Sequence, residues 1–387
     1  MQAYYERHLN SQGPSDLTLQ LTFVITICNI LINLMAPLGQ ILVNRFKTRL
    51  TLFISVIICS AGLVLAGFST KVLHLYLTQG VVYGIGCSIM FYIALTVVPK
   101  WFSERKGLAL GVLSSGISIG GLAMPLIMEP LNSRLGAAWC FRILGFICFG
   151  LGMISCLLLS EKNVVKTNDD EKKHGENDVE KFSFKKIFNF GSVLKNPRFL
   201  LWVASEIFME TAFNVPIVFI PSYATYIGLT SSEGAVILSV CSGMNAVGRL
   251  CAGFAADFLG HVNVILIYTV IAGLSSLLVW MYATSFGMLM AFAVIFGFFG
   301  GAFITLTPTI TLLVTGSEGF ECGVSAFLVL STVAQFGPNL ASAVELTVHD
   351  TKPFDTYKYF TGVSYLLGAS LLLIFKFSLN RNPLTKI

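Results

Sequence analysis

Long apolar stretches separated by short polar segments occupy almost the whole chain. A helix that crosses the roughly 30 Å hydrocarbon core of a bilayer needs about 20 residues, because each helical residue advances about 1.5 Å. Eleven predominantly apolar runs approach or exceed that length, at about residues 17–43, 50–68, 72–98, 107–128, 138–159, 198–224, 232–256, 262–283, 286–312, 321–347 and 357–378. The pattern predicts an all-α polytopic membrane protein.

One hydrophilic segment interrupts the apolar pattern. Residues 161–196 carry eight lysines and seven acidic residues, and the first two-thirds of the segment is too polar to be buried. Such a composition favours a linker that is disordered in part. We therefore divide the chain into an N-terminal bundle of five transmembrane helices (1–160), a cytoplasmic hydrophilic linker (161–196) and a C-terminal bundle of six helices (197–387).

The composition and the distribution of charge support this topology. Of the 387 residues, 55% are hydrophobic and 12% are charged, whereas a soluble globular protein carries roughly 25% charged residues. Two short connections are basic, with Arg45, Lys47 and Arg49 in one and Lys100, Arg105 and Lys106 in the other. Because cytoplasmic loops are enriched in lysine and arginine, we expect these connections to be cytoplasmic. We expect the plasma membrane rather than a vacuolar or other internal membrane.

The sequence lacks the motifs of catalysis and of metal binding. Its nine cysteines lie in apolar runs or at their edges without a CxxC spacing, and its five histidines form no metal-binding set. It contains no P-loop, no nucleophile elbow and no HExxH motif. We expect no enzymatic activity, no cofactor, no metal and no nucleic-acid partner.

Two loop segments resemble each other across the linker. GQILVNRFKTR at 39–49 follows the first apolar run, and GFAADFLGHVN at 253–263 follows the seventh. Each has a glycine, then a polar residue at a fixed offset, then a basic or turn-forming end. Two such copies indicate an internal repeat, as in transporters built from two related halves.

The first segment resembles the loop signature of the major facilitator superfamily, which runs glycine, spacer, aspartate, basic residue, spacer, glycine, basic residue. Gly39, Arg45 and Arg49 fit this signature. Asn44 stands where the signature has aspartate, and Lys47 stands where it has glycine.

The second segment matches the same signature more closely. Gly253, Asp257 and Gly260 fit, and His261 replaces the last basic residue. The resemblance implies the major facilitator fold, in which two bundles of six helices rock against each other.

The stretch at 101–121, WFSERKGLALGVLSSGISIGG, is similar to a pattern of the monocarboxylate porter family within that superfamily. The pattern combines aromatic and basic residues, Ala-x-Gly and spaced glycines, matched here by Phe102, Arg105, Lys106, Ala109, Gly111, Gly116 and Gly120. The fungal members look most similar, judging by QAYYERHL at residues 2–9.

In that family a segment like QAYYERHL ends the first transmembrane helix. We therefore expect the sequence as written to have five plus six helices, where the family has six plus six. The family's first-helix binding lysine has no counterpart in this sequence.

Arg249 is an arginine within an apolar run. Counted at about 1.5 Å per residue from Ser232, it lies about 25 Å along its helix. An arginine at that depth costs several kcal/mol unless it faces a water-filled cavity or an anion, and a guanidinium can donate two parallel hydrogen bonds to a carboxylate. Arg249 could instead extend to the inner interface or brace the loop through Asp257.

The family resemblance assigns a role to this helix. An arginine here binds the substrate carboxylate and an aspartate one turn earlier takes part in proton coupling; Arg249 matches the first and Asn245 occupies the second position. Because an amide takes up no proton near neutral pH, coupling through Asn245 is not expected.

Glu206 and Glu210 lie one turn apart in the sixth run, about 12 and 18 Å from its cytoplasmic end. Glu210 is the candidate proton-coupling residue. A fixed partner for Arg249 and a structural carboxylate facing the cavity are the alternatives.

These residues predict a secondary transporter of a small organic solute, most simply a monocarboxylate, with proton symport as the family expectation. An uncoupled facilitator of a bulkier solute such as a vitamin is the first alternative, which Asn245 favours. A non-transporting nutrient sensor or a truncated remnant is the second. The expected partners are an organic anion, a proton and the lipid bilayer.

Overall fold

The computed structural model describes residues 14–102, 104–160, 190–347 and 352–380, and every regular element within these ranges is a helix. The N-terminal half contains α1 (Pro14–Leu34), α2 (Ala36–Phe46), α3 (Thr48–Ala66), α4 (Val72–Leu75), a π-helical segment (Tyr76–Val82), α5 (Tyr83–Trp101) and α6 (Lys106–Leu158). The C-terminal half contains α7 (Phe190–Leu194), α8 (Pro197–Tyr226), α9 (Ser231–Leu259), α10 (His261–Leu278), a 3-10 turn (Trp280–Tyr282), α11 (Phe286–Gly300), α12 (Ala302–Ser331), a 3-10 segment (Thr332–Phe336), α13 (Gly337–Thr347) and α14 (Asp355–Leu379).

Local signals in the sequence explain where several helices begin. Pro197 opens α8, where its missing N–H costs nothing, and the Asn196 side chain accepts a hydrogen bond of 3.0 Å from the N–H of Arg198. A reciprocal capping box between Thr230 and Glu233 opens α9. A proline in the first turn of α2 accompanies a bend of 47° between α1 and α2.

Nine helical stretches within the described ranges are long and apolar enough to cross a bilayer, or ten if the bent α1–α2 pair counts as one span. One of the nine, Phe286–Thr347, holds both of the runs predicted at 286–312 and 321–347. These two runs are joined at Gly316, whose φ of 70° breaks the helical path within α12. With this stretch taken as two helices, each predicted run has a helical counterpart.

Most of the predicted linker, residues 161–189, lies outside the described residues. Its end forms the short helix α7, in which Val193 is buried. The side chain of Asn196 then donates a hydrogen bond of 3.3 Å to the carbonyl oxygen of Val314 in α12. The end of the linker thus packs on the C-terminal half, and the domain boundaries stay a prediction.

The two halves meet most closely along α6 and α9, at the end of the bundle that carries the basic loops (residues 45–49 and 100–106), here called the basic end. A Cβ atom on Gly253 would collide with the backbone carbonyl of Gly107, and one on Gly111 would lie 2.9 Å from the carbonyl oxygen of Arg249. Further along α6, a Cβ atom on Gly121 would lie 4.0 Å from the hydroxyl oxygen of Ser242 in α9. The two helices therefore diverge away from the basic end.

Two further contacts join the halves near the basic end. The Ser114 hydroxyl of α6 lies 2.7 Å from the Thr305 hydroxyl of α12. Lys100 of α5 forms an ion pair with Glu321 of α12. The halves are thus in close contact at the basic end. Beyond it α6 and α9 move apart, while α1 still contacts the 3-10 segment (Thr332–Phe336).

Candidate functional site

A cavity of about 820 Å³ lies between the two halves. Side chains of α1, α3, α5 and α6 form one wall, and side chains of α8, α9, α12 and the 3-10 segment form the other. Most of this surface is apolar or aromatic, including Ile32, Met90, Phe91, Leu113, Phe213 and Phe327. A volume of this size falls within the range of about 300–1,000 Å³ typical of small-molecule sites.

Among the aspartate, glutamate, lysine and arginine side chains of the described residues, three line the cavity, and all three were predicted from the sequence. Glu206 and Glu210 come from α8 and Arg249 comes from α9. Glu206 and Arg249 are only 3% and 2% exposed. Charged groups withdrawn this far from water are costly and mark functional positions within membranes.

The guanidinium of Arg249 makes one hydrogen bond within the described part of the chain, of 3.0 Å from Nη1 to the carbonyl oxygen of Ser114. Its Nε is buried without a partner, and no described carboxylate lies within 4 Å of it. The alternative that Arg249 braces the loop through Asp257 is wrong, because Arg249 extends across the interface to α6. This guanidinium retains donors that can bind an anion.

Asn245 lies one turn before Arg249 but is absent from the cavity wall as described. Its amide nitrogen donates a hydrogen bond of 3.0 Å to the carbonyl oxygen of Gly297, and its amide oxygen accepts one of 2.7 Å from Ser118. The side chain therefore joins α9 to α11 and to α6. The expectation that Asn245 touches the solute is not met in this conformation, because both ends of the amide are engaged between helices.

The two glutamates of α8 accept hydrogen bonds from the end of α12 and from the 3-10 segment that follows it. Ser331, at the end of α12, donates a hydrogen bond of 2.8 Å to Glu206, and Gln335, in the 3-10 segment, donates one of 2.6 Å to Glu210. The two glutamates lie one helical turn apart on α8 and both line the cavity, so their side chains are neighbours on one face of the helix. The alternative of a fixed Glu210–Arg249 pair is wrong.

The loop signature serves packing and helix capping at the basic end. Both carboxylate oxygens of Asp257 accept hydrogen bonds from the start of α6, of 2.9 Å from the N–H of Gly107 and 3.0 Å from that of Leu108. An acidic group at a helix N-terminus is favourable because it satisfies free N–H groups and opposes the helix dipole. Asp257 thus ties the second loop segment to the opposite half.

The first copy of the signature makes different contacts. Gly39 packs against the ring of Tyr92, where a Cβ atom would come within 3.2 Å. Arg49 donates a hydrogen bond of 2.9 Å to the carbonyl oxygen of Cys156, and the guanidinium of Arg45 lies over the ring of Phe46. Asn44 is exposed at the end of α2.

The remaining signature residues lie at the start of α6 and the end of α9. Arg105 is exposed and Lys106 is half-buried, and neither lines the cavity. Gly260 adopts a φ of 95° between α9 and α10, a conformation in which glycine is the favoured residue.

Several polar residues of the cavity wall were not predicted from the sequence, namely Asn29, Asn33, Tyr83, Thr307, Ser331 and Gln335. Asn29 and Asn33 are spaced four residues apart inside an apolar run, which places both on one face of α1. That spacing was a usable signal for a polar cavity lining.

Known membrane transporters resemble this chain in sequence. The sequence profile of the Major Facilitator Superfamily matches residues 6–342. The "Fujikurins efflux protein" of Gibberella fujikuroi is 26% identical over 380 residues, which cover 96% of this chain and 76% of that protein. "Monocarboxylate transporter 12" of Xenopus laevis is 28% identical over 318 residues, which cover 78% of this chain and 68% of that protein.

Solved structures share the fold at low sequence identity. The E. coli fucose:proton symporter FucP is 13% identical with a TM-score of 0.71, over 92% of this chain and 91% of that chain. The human organic anion transporter MFSD10 is 13% identical with a TM-score of 0.71, over 96% of this chain and 88% of that chain. At this identity the likeness concerns the fold alone.

Proposed function

Because this chain belongs to the Major Facilitator Superfamily, and is therefore a multi-pass membrane transporter of small solutes, we propose that it carries an organic acid by alternating access. In this proposal Arg249 binds the carboxylate of the solute. Asn245 holds the neighbouring helices, and the loop signature closes the basic end.

The observation that carries the proposal is the state of Arg249. Its guanidinium is 2% exposed, borders the cavity, lacks a carboxylate partner among the described residues and leaves Nε unpaired. Leaving a buried charge without a counter-ion costs several kcal/mol. A carboxylate that enters the cavity supplies the missing charge and accepts two parallel hydrogen bonds. The relative named as a monocarboxylate transporter supports the same class of solute.

Alternating access is supported by the contacts between the halves. They are in close contact at the basic end and diverge beyond it, which leaves the cavity bordered by both halves. Rocking of the halves about this cavity would open the basic end and close the other. Since the basic loops are expected to be cytoplasmic, we assign the described conformation to the outward-facing state.

The proposal includes proton symport, with Glu210 as the residue that binds the proton. Glu206 and Glu210 lie one helical turn apart in the cavity wall, and two neighbouring carboxyl groups favour the binding of one proton because like charges repel. A proton bound there would neutralise one of the two carboxylates when an anion binds to Arg249. Asn245 takes no part in this step, because its amide does not titrate.

A second candidate is uncoupled transport of a bulkier solute, and the cavity volume of about 820 Å³ with its largely apolar lining favours it. The relative named as an efflux protein for fujikurins supports this alternative. Transport unaffected by a proton gradient would decide for it.

The test is uptake of labelled lactate, pyruvate and acetate into cells that express this chain, with and without an inward proton gradient. We expect saturable, gradient-stimulated uptake that Arg249→Gln abolishes at unchanged membrane expression. Glu210→Gln should remove the stimulation by the gradient. Arg142→Gln is the matched control, because Arg142 also donates to a backbone carbonyl, that of Gly67, but lies away from the cavity wall. Unchanged uptake by the Arg249 variant would refute the anion site.

A further inference from the structure

The charged groups of the cavity form two separate poles. Glu206 and Glu210 lie one turn apart on α8 and accept hydrogen bonds from Ser331 and Gln335. Neither carboxylate lies within 4 Å of the Arg249 guanidinium, whose own hydrogen bond goes to α6. The cavity therefore has an acidic pole, at Glu206 and Glu210, and a basic pole, at Arg249.

The rest of the cavity wall is mostly apolar. Phe91, Leu113, Ile117, Phe213, Ile304 and Phe327 contribute to it from both halves. Burial of apolar solute surface against such walls favours binding. A solute that consists of little more than a carboxylate would leave most of this surface in contact with water.

The balance of charge also argues against a plain acid. The acidic pole has two carboxyl groups and the basic pole has one guanidinium. A solute with a carboxylate alone supplies an opposite charge to Arg249 but none to the acidic pole, whose described hydrogen-bond donors, Ser331 and Gln335, are neutral. A solute that also carries a cation complements the charges of both poles.

We propose that the solute is an elongated amphipathic acid, with a carboxylate at one end, an apolar body, and a hydrogen-bond donor such as an ammonium group at the other end. The carboxylate would bind Arg249, and the donor would bind Glu210. This inference rests on the proposed function, because it takes Arg249 as the carboxylate site. It adds a second recognition point and a minimum length.

Glu210 is the more accessible group of the acidic pole. It is half-buried, whereas Glu206 is almost fully enclosed beneath it and held by Ser331. The donor of the solute is therefore assigned to Glu210, with Glu206 as its support. Gln335, which already donates to Glu210, would remain beside the new contact.

The experiment is direct binding to the purified full chain in detergent, measured by calorimetry. The probes are a series of unbranched ω-amino acids of increasing length, and, for each length, the plain carboxylic acid without the amino group. We expect an optimum length at which the ω-amino acid binds about tenfold or more tightly than the plain acid, because a hydrogen bond to a charged group is worth about 1.5–3 kcal/mol.

The variants separate this inference from the proposed function. Glu210→Gln should reduce the preference for the ω-amino acid over the plain acid of the same length to about one, and an unchanged melting temperature of the variant in detergent would show that it is folded. Arg249→Gln should weaken both probes. Glu318→Gln is the control, because Glu318 is an exposed carboxylate away from the cavity wall and should change neither affinity.

The outcomes are distinct. Plain acids that bind through Arg249, with no gain from the amino group or with a gain that survives Glu210→Gln, would overturn the inference and leave the proposed function standing. Absence of binding by every acid, or binding insensitive to Arg249→Gln, would overturn both.

Discussion

At the scale of single residues, Lys47 differs from the glycine of the loop signature, and its backbone conformation is unfavourable for a residue other than glycine. Lys47 stands where the second copy has Gly260, and both join two helices with similar backbone angles: φ 65° and ψ 156° at Lys47, φ 95° and ψ 143° at Gly260. This region of backbone space is almost restricted to glycine, and another residue held there costs on the order of 1–3 kcal/mol. The α2–α3 joint is therefore strained at Lys47.

Replacing this residue should relieve the strain. We expect Lys47→Gly to stabilise the protein by about 1 kcal/mol, because the gain at the joint exceeds the greater freedom of glycine in the unfolded chain. The measurement is thermal unfolding of the purified protein in detergent. Lys71→Gly is the comparison, since Lys71 has an ordinary extended backbone with φ −133° and should gain nothing. A lower melting temperature for Lys47→Gly would show that the side chain matters more than the backbone.

At the scale of elements, single glycines separate helices that otherwise run as one stretch. Gly136 divides α6 with φ 80° and ψ 167°, and Gly316 divides α12 with φ 70° and ψ 174°. In both places the apolar pattern predicts two runs, and a single glycine joins the two helices. Such a joint needs a residue without a Cβ atom, because the positive φ is unfavourable for L-amino acids.

Gly316 allows a clean measurement of this effect. A Cβ atom at Gly316 would meet nothing within 4 Å, so Gly316→Ala adds backbone strain without a steric clash. We expect a loss of about 1–2 kcal/mol in stability, measured as a lower melting temperature. Gly287 also has open space around it but lies in the first turn of α11 at negative φ, so Gly287→Ala should be neutral or stabilising. Equal effects of the two substitutions would contradict the role of the joint.

At the scale of the whole molecule, the close approach of α6 and α9 sets which end of the cavity is closed. Gly107 and Gly253 bring the two backbones into contact, and Asp257 caps α6 from the opposite half. Backbones come this close only where the residues are small. This close contact between α6 and α9, here called the seam, keeps the basic end closed. A larger side chain would not fit within the seam.

A larger side chain in the seam should shift the equilibrium between conformations. We expect Gly253→Val to separate the halves at the basic end, since the added atoms collide with a backbone carbonyl and overpacking costs about 1–3 kcal/mol. The measurement is the distance between spin labels at Trp101 and Glu318, one on each half, in a cysteine-depleted background. Gly120→Val is the control, because its surroundings are open, and it should leave the distance unchanged. An unaltered distance in the Gly253 variant would rule out this seam as the closing contact.

Part of the site could be identified from the sequence because a charged residue within an apolar run can be recognised without knowledge of the fold. Arg249, Glu206 and Glu210 stand out as ionisable residues inside apolar runs, and the structure brings all three to one cavity. Their partners could not be identified in that way. Glu210 bonds to Gln335, 125 residues away, and Arg249 bonds to Ser114, 135 residues away, and such pairings depend on how far one helix is shifted along another.

The sequence alone therefore determined the helical membrane architecture, the repeat of two halves and the three charged residues that line the cavity, because hydrophobic length and the cost of burying charge act within single segments. Tertiary structure alone decided that Asn245 holds helices together, that Asp257 caps α6, and that Arg249 stands apart from the two glutamates. These outcomes follow from close packing between segments distant in the chain, where a displacement of one helical turn exchanges every neighbour.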